Sequence, residues 1–382
     1  MIYLDHNAIT PVRPAAKAAV AAALEVYGNP SSVHAAGRAA RDLLDLAREQ
    51  AARALGAAPS ELVFTSGATE SATIAIRGVL GAAPAGRRRL VVTSVEHPCV
   101  LSLARALEKA GTPVTVVPVN GRGVVELDTW RAALGPDVAL ACAMRANNET
   151  GVLLPVGLLG AAAREAGALF FCDATQAVGK IPVDVRTLGA DLAALTGQKL
   201  GGPRGAGALW VRPGFPLAPV AGGEQERGRR AGTENLPGIA GLAAALEAAT
   251  AAVEAEGPRL ARLRDRLEAG LLAAVPDTRV NGAGAERLPN TASLTFRGCD
   301  AEALLMAMDL EGVCASAGSA CHSGSTKPSG VLLALGLSEE EARSTIRFSV
   351  GWTSTEADVD EALRKLPPLV ARVRAEIPRV GH

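Results

Sequence analysis

Through its first two-thirds the chain alternates short, almost wholly apolar runs with stretches that repeat apolar residues at helical spacing. "VALACAM" (138–144) and "ALFFCDA" (168–174) lack the polar alternation of a strand with one wet face. Between such runs lie helical patterns such as "AAGRAARDLLDLAREQAARAL" (35–55), "VLSLARALEKAG" (100–111) and "GLLGAAAREAG" (157–167). Strands apolar on both faces must be covered on both faces. The pattern therefore predicts an α/β fold with a mostly parallel sheet flanked by helices. We place this large domain at 13–257. After Pro203 the texture changes. "GAGALWVRPG" (205–214) reads as an edge hairpin, and "GGEQERGRRAGTEN" (222–235) as a polar, glycine-rich loop. An alanine-rich helix over roughly 235–255 follows, ended by Gly257-Pro258. Residues 258–382, with 1–12 attached, predict a smaller α+β domain.

Charge narrows the function classes. Lys+Arg and Asp+Glu both number 39, and a net charge of zero argues against a broad nucleic-acid or anionic-membrane surface. Asp5 and His6 interrupt the N-terminal residues, so no signal-peptide core is expected there. No apolar run reaches membrane-spanning length without charged or turn residues, and a cytoplasmic location is expected. The six cysteines are scattered, with no C-x-x-C pair, so neither a metal cage nor a disulfide framework is expected. Cys142 and Cys172 sit in apolar runs and read as core residues. Cys321 does not. Its surroundings, "SAGSACHSG" (316–324), are too small and polar to pack a core, leaving a disulfide, a metal ligand or a nucleophile as its possible uses.

In open parallel sheets, ligands bind outside the carboxyl ends of the strands. Polar residues collect at those ends. "FTSGATES" places Gly67, Ala68 and Thr69 at a helix start, which suits a phosphate or an ordinary N-cap. "SVEHP" supplies His97, "MRANNETG" supplies Asn147 and Asn148, and "FFCDATQ" supplies Asp173 and Gln176. "ALTGQKLGG" adds Thr196, Gln198 and Lys199. Gly179-Lys180 is followed by isoleucine, so it does not complete a nucleotide P-loop. A carboxylate at the end of a buried strand needs a partner. Only six of the 39 basic residues are lysines, and Lys199 stands at a strand end between Gln198 and Leu200. An acid, a lysine and a phosphate cradle together match pyridoxal phosphate binding, in which lysine forms a Schiff base and the acid holds the pyridinium proton.

At this point the order of motifs becomes specific. "GNPSSVHAAGR", "FTSGATES", "EH", "NNETG", "DATQAVGKIPVD", "GQK", "RAGTEN", "SAGSACHSG" and "IRFSVG" run from one end of the chain to the other. The chain resembles the cysteine desulfurases, pyridoxal-phosphate enzymes of the class-V aminotransferase type, in the branch with a long cysteine loop. That resemblance implies a fold-type I transferase. It implies that Lys199 holds the cofactor and shuttles the substrate Cα proton, that Asp173 pairs with the pyridine nitrogen, and that His97 stacks on the ring. Gln176 would bond the phenolic oxygen, and Ala68, Thr69 and Thr196 would hold the phosphate. Thr233 would reach the phosphate in a partner subunit, which implies a homodimer. Asn148 and Arg347 would bind the carboxylate of L-cysteine, Arg347 through its bidentate fork. Cys321 would take the sulfur as a persulfide and pass it to an acceptor protein. Three positions depart from the family pattern. Gln198 stands where histidine is usual and can still bond a phosphate; Ile9 stands where threonine is common, and His322 where serine or threonine is common. A lyase or aminotransferase of the same class that does not use Cys321, a selenocysteine lyase included, is the alternative.

Overall fold

The computed structural model describes residues 1–215, 217–318 and 327–376. At its centre is a seven-stranded sheet in the order Leu62–Thr65, Gly207–Val211, Leu192–Thr196, Leu169–Asp173, Val138–Met144, Arg89–Thr93, Val114–Val117. Every pair from Leu192–Thr196 to Val114–Val117 is parallel, while Gly207–Val211 runs antiparallel to both of its neighbours.

Side-chain alternation explains the unbroken apolar runs. Phe64, Ala141, Ala143, Phe170 and Cys172 point into one core, and Val63, Leu140, Cys142 and Phe171 into another on the opposite face. Helices Ala68–Ala82 and Pro98–Lys109 cover the second face. Ala35–Leu55, Val156–Glu165 and the first part of Leu236–Ala274 cover the first. A separate apolar cluster joins Ile2 and Leu4 to Leu260, Leu263 and Leu267. It packs them against the strands Thr291–Phe296 and Thr345–Ser349 and the helices Ala301–Leu310 and Glu356–Glu376.

Two sequence expectations fail, each for a local reason. The 205–214 stretch is no edge hairpin: Gly207–Val211 is wholly buried and hydrogen-bonded on both sides, inside the sheet. The alanine-rich helix does not stop at Gly257-Pro258 but runs unbroken over Leu236–Ala274. Pro258 and Glu254, four residues before it, are both exposed, so the missing N–H leaves a carbonyl that water can serve. Beyond the proline, Arg259 pairs with Glu256 at 2.7 Å and donates to the carbonyls of Ser354 and Gly351, which holds the helix on course. The apolar first part of this helix is long enough to cross a bilayer by length and composition, yet 61% of that window is buried inside the protein.

Candidate active site

The carboxyl ends of the parallel strands open into a cavity of about 650 Å³ that is also lined by Arg347 and by Asn7, Ala8 and Ile9. Ten of the residues expected from sequence line it: Ala68, Thr69, His97, Asn148, Asp173, Gln176, Thr196, Gln198, Lys199 and Arg347. Thr233 does not; it lies exposed in the loop before Leu236–Ala274. Cys321 and His322 lie outside the described residues. The chain on either side of them, Gly318 and Lys327, lines the same cavity.

One corner is built from two strand ends. Gly67, at φ 154, ends the turn after Leu62–Thr65 and opens helix Ala68–Ala82 without any side-chain cap, so the first N–H groups are left to a ligand. Gly207 makes room for this turn, because a Cβ there would come within 2.6 Å of Gly67 Cα. Opposite, the Thr196 hydroxyl donates to Gln198 Oε1 at 2.6 Å. This assigns the Gln198 amide oxygen to Thr196 and leaves its NH2 as the donor end.

The middle of the cavity carries the titratable groups. Asp173 ends its strand beside Ala194 of the next, and its Oδ1 accepts from the Thr175 N–H at 2.9 Å. Lys199 follows that neighbouring strand in a 3-10 turn, with Nζ donating to Ala8 O at 2.5 Å. His97 caps helix Pro98–Lys109: its Nδ1 accepts from the Cys99 N–H at 3.2 Å, which leaves the proton of the neutral ring on Nε2. Burial lowers the His97 pKa and Lys199 adds to that, while Asp173 opposes it, so the ring is neutral at pH 7. Beneath it the Cys99 thiol is pushed up to about 12, mainly by burial and then by Asp173, and stays protonated.

The strand Thr345–Ser349 contributes Arg347. Its Nη2 donates to Asp5 Oδ1 at 2.8 Å and its Nη1 to Asn148 O at 2.9 Å, so part of the fork is engaged within the protein. The buried Nε has no hydrogen-bond partner among the described residues.

Two buried carboxyls were not picked out from sequence. Glu96 is 1% exposed. Its Oε1 accepts from the Thr93 hydroxyl at 2.6 Å and the Met144 N–H at 2.8 Å, and its Oε2 has no partner among the described residues. Burial, with Asp173 adding to it, pushes its pKa up to about 8. Glu149 is raised to about 7 by burial; its Oε2 accepts from Ser329 Oγ at 2.5 Å. Both flank residues the sequence did single out, His97 and Asn148. A carboxylate beside an apolar strand end was the available signal. Two other histidines serve the fold. The Nδ1 of His6 lies 2.6 Å from Thr10 Oγ1, and burial lowers its pKa to about 4. His34 caps helix Ala35–Leu55, accepting from the Gly37 N–H.

Comparison with known proteins identifies the family. Residues 2–362 match the family model "Aminotransferase class-V". The chain belongs to the class-V aminotransferase family. It is 46% identical over 380 residues to a protein of Trichormus azollae named "Cysteine desulfurase", covering 99% of this chain and 95% of that one. Among solved structures, a "NIFS-LIKE PROTEIN" superposes with a TM-score of 0.91 at 33% identity, covering 97% of this chain and 99% of that one. A second, described as "SspA in complex with cysteine", has a TM-score of 0.80 at 32% identity and covers 93% and 100% of the two chains.

Proposed function

We propose that this protein is a pyridoxal-phosphate-dependent cysteine desulfurase. It converts L-cysteine to L-alanine and passes the sulfur, as a persulfide on Cys321, to an acceptor protein. The product sulfur would serve iron–sulfur cluster, thionucleotide or related synthesis. The observation that carries this reading is the convergence of Lys199, Asp173, an uncapped helix N-terminus and Arg347 on one cavity.

The residues fit the cofactor. The Gly67 turn and helix start, with Thr196 and the Gln198 amide, form a cradle suited to a phosphate. Ala68 and Thr69 would contribute there. Lys199 would hold the cofactor covalently, Asp173 would pair with its ring nitrogen, His97 would stack on its ring and Gln176 would donate to its phenolic oxygen. Bound in this way, pyridoxal phosphate supplies an electron sink for charge released at the substrate Cα.

The chain's own groups do the rest. Arg347, whose Nε has no partner among the described residues, and Asn148 bind and orient the substrate carboxylate. Lys199 Nζ takes and returns the Cα proton. Cys321 Sγ, as thiolate, attacks the substrate sulfur. The new S–S bond forms as the C–S bond breaks, the electron pair stays on carbon, and a proton completes alanine. The Cys99 thiol in the same cavity is held protonated, so it does not compete as the nucleophile. Thr233, exposed and outside its own cavity, supports a homodimer in which it completes the partner's phosphate site. The test is product analysis: L-cysteine should yield alanine and protein-bound sulfane sulfur in equal amounts. Pyruvate and ammonia in place of alanine would refute the reading.

A further inference from the structure

Lys180, set aside in the sequence because no P-loop follows it, lies buried behind the cavity. Its Nζ donates to Asn7 Oδ1 at 2.8 Å and to Gln176 Oε1. The other end of the Gln176 amide, Nε2, donates to Asn7 O at 3.0 Å. Asn7 is itself held by Thr291 and Asn290. We propose that Lys180 is a positioning residue that fixes the rotation of the Gln176 amide, so that an N–H rather than the carbonyl oxygen faces the cavity. A carbonyl can only accept, so Asn7 O demands the NH2 end, while the Lys180 N–H demands the oxygen end. The second N–H of Nε2 is the one left for a ligand.

Burial lowers the Lys180 pKa well below the usual lysine value, with Lys199 and Arg347 adding to that, and Lys180 in turn helps lower His6. The two Lys180 contacts, to Asn7 Oδ1 and Gln176 Oε1, are donated from the same Nζ. This role is distinct from that of Lys199, which would bind the cofactor directly.

The inference rests on the cofactor reading above, and its test separates the two. The visible band of the bound cofactor is titrated in the wild type, Lys180→Met, Gln176→Ala and the double variant. A donor facing the phenolic oxygen stabilises its anion, so losing it raises the pH midpoint. The expected rise is about one unit in each single variant, with no further rise in the double. An unshifted midpoint in Lys180→Met, or shifts that add in the double, would overturn the proposal. Should Lys180→Met not fold, Gln176→Glu keeps the volume but presents an oxygen to the cavity. Its midpoint should also rise, and a wild-type midpoint there overturns the assigned orientation. A wild type with no visible band would instead count against the cofactor itself.

Discussion

Glu96→Gln should make the protein more stable at neutral pH, although it alters a residue inside the cavity. In the folded state the carboxyl is buried and its pKa lies near 8; in the unfolded chain it returns to about 4.5. A raised folded value means the folded state binds the proton more tightly. That contribution to stability is complete below the unfolded pKa and is lost as pH rises through the folded one. The window therefore runs from about pH 4.5 to about pH 8. The loss amounts to about 3 kcal/mol by pH 7 and about 5 kcal/mol above pH 8. Glutamine imitates the protonated acid. Its oxygen can accept from Thr93 and Met144, and its NH2 occupies the place of Oε2, which has no partner among the described residues. Urea unfolding of wild type and Glu96→Gln at about pH 5 and about pH 8 isolates this one group, because the other titrations cancel in the difference. The two proteins should be nearly equal at the lower pH, and the variant more stable at the higher. A variant less stable than wild type at the higher pH would mean that Glu96 is ionised and paired, refuting the argument.

Three further outcomes follow from the same geometry. Lys199→Ala should fold but lose the visible absorbance of the lysine-bound cofactor together with sulfide release, checked by spectroscopy and a sulfide assay. Gly207→Ala drives a Cβ to within 2.6 Å of Gly67 Cα and 2.7 Å of Leu195 O. It should destabilise the protein by about 1–3 kcal/mol in urea unfolding and weaken cofactor binding in a titration. Arg347→Lys loses the Nε donor and the planar fork, and steady-state kinetics should find KM for L-cysteine raised roughly tenfold or more.

Much of this was legible in the sequence because the signals were local. Strands that are apolar on both faces announce a covered parallel sheet, and polar residues at their carboxyl ends announce the cavity. Nine of the ten expected residues line it for that reason, while Arg347, on the strand Thr345–Ser349, was expected only from the resemblance. What escaped depends on the environment supplied by distant chain. Glu96 and Glu149 read as ordinary carboxylates until the fold removes water from them. Lys180 gains meaning only when Asn7, 173 positions away, reaches it. Pro258 reads as a helix breaker, and its cost is small only because that side of the helix faces solvent. Gly207–Val211 was misplaced because five residues do not reveal that both of their edges are paired.

The central claim is that sulfur leaves the substrate on Cys321. A single turnover with L-cysteine, followed by intact-mass and peptide analysis of wild type and Cys321→Ala, tests it directly. The wild type should gain one sulfur atom at Cys321 with one equivalent of alanine, and Cys321→Ala should retain the cofactor absorbance while forming neither product. Full alanine and sulfide production by Cys321→Ala would contradict the account.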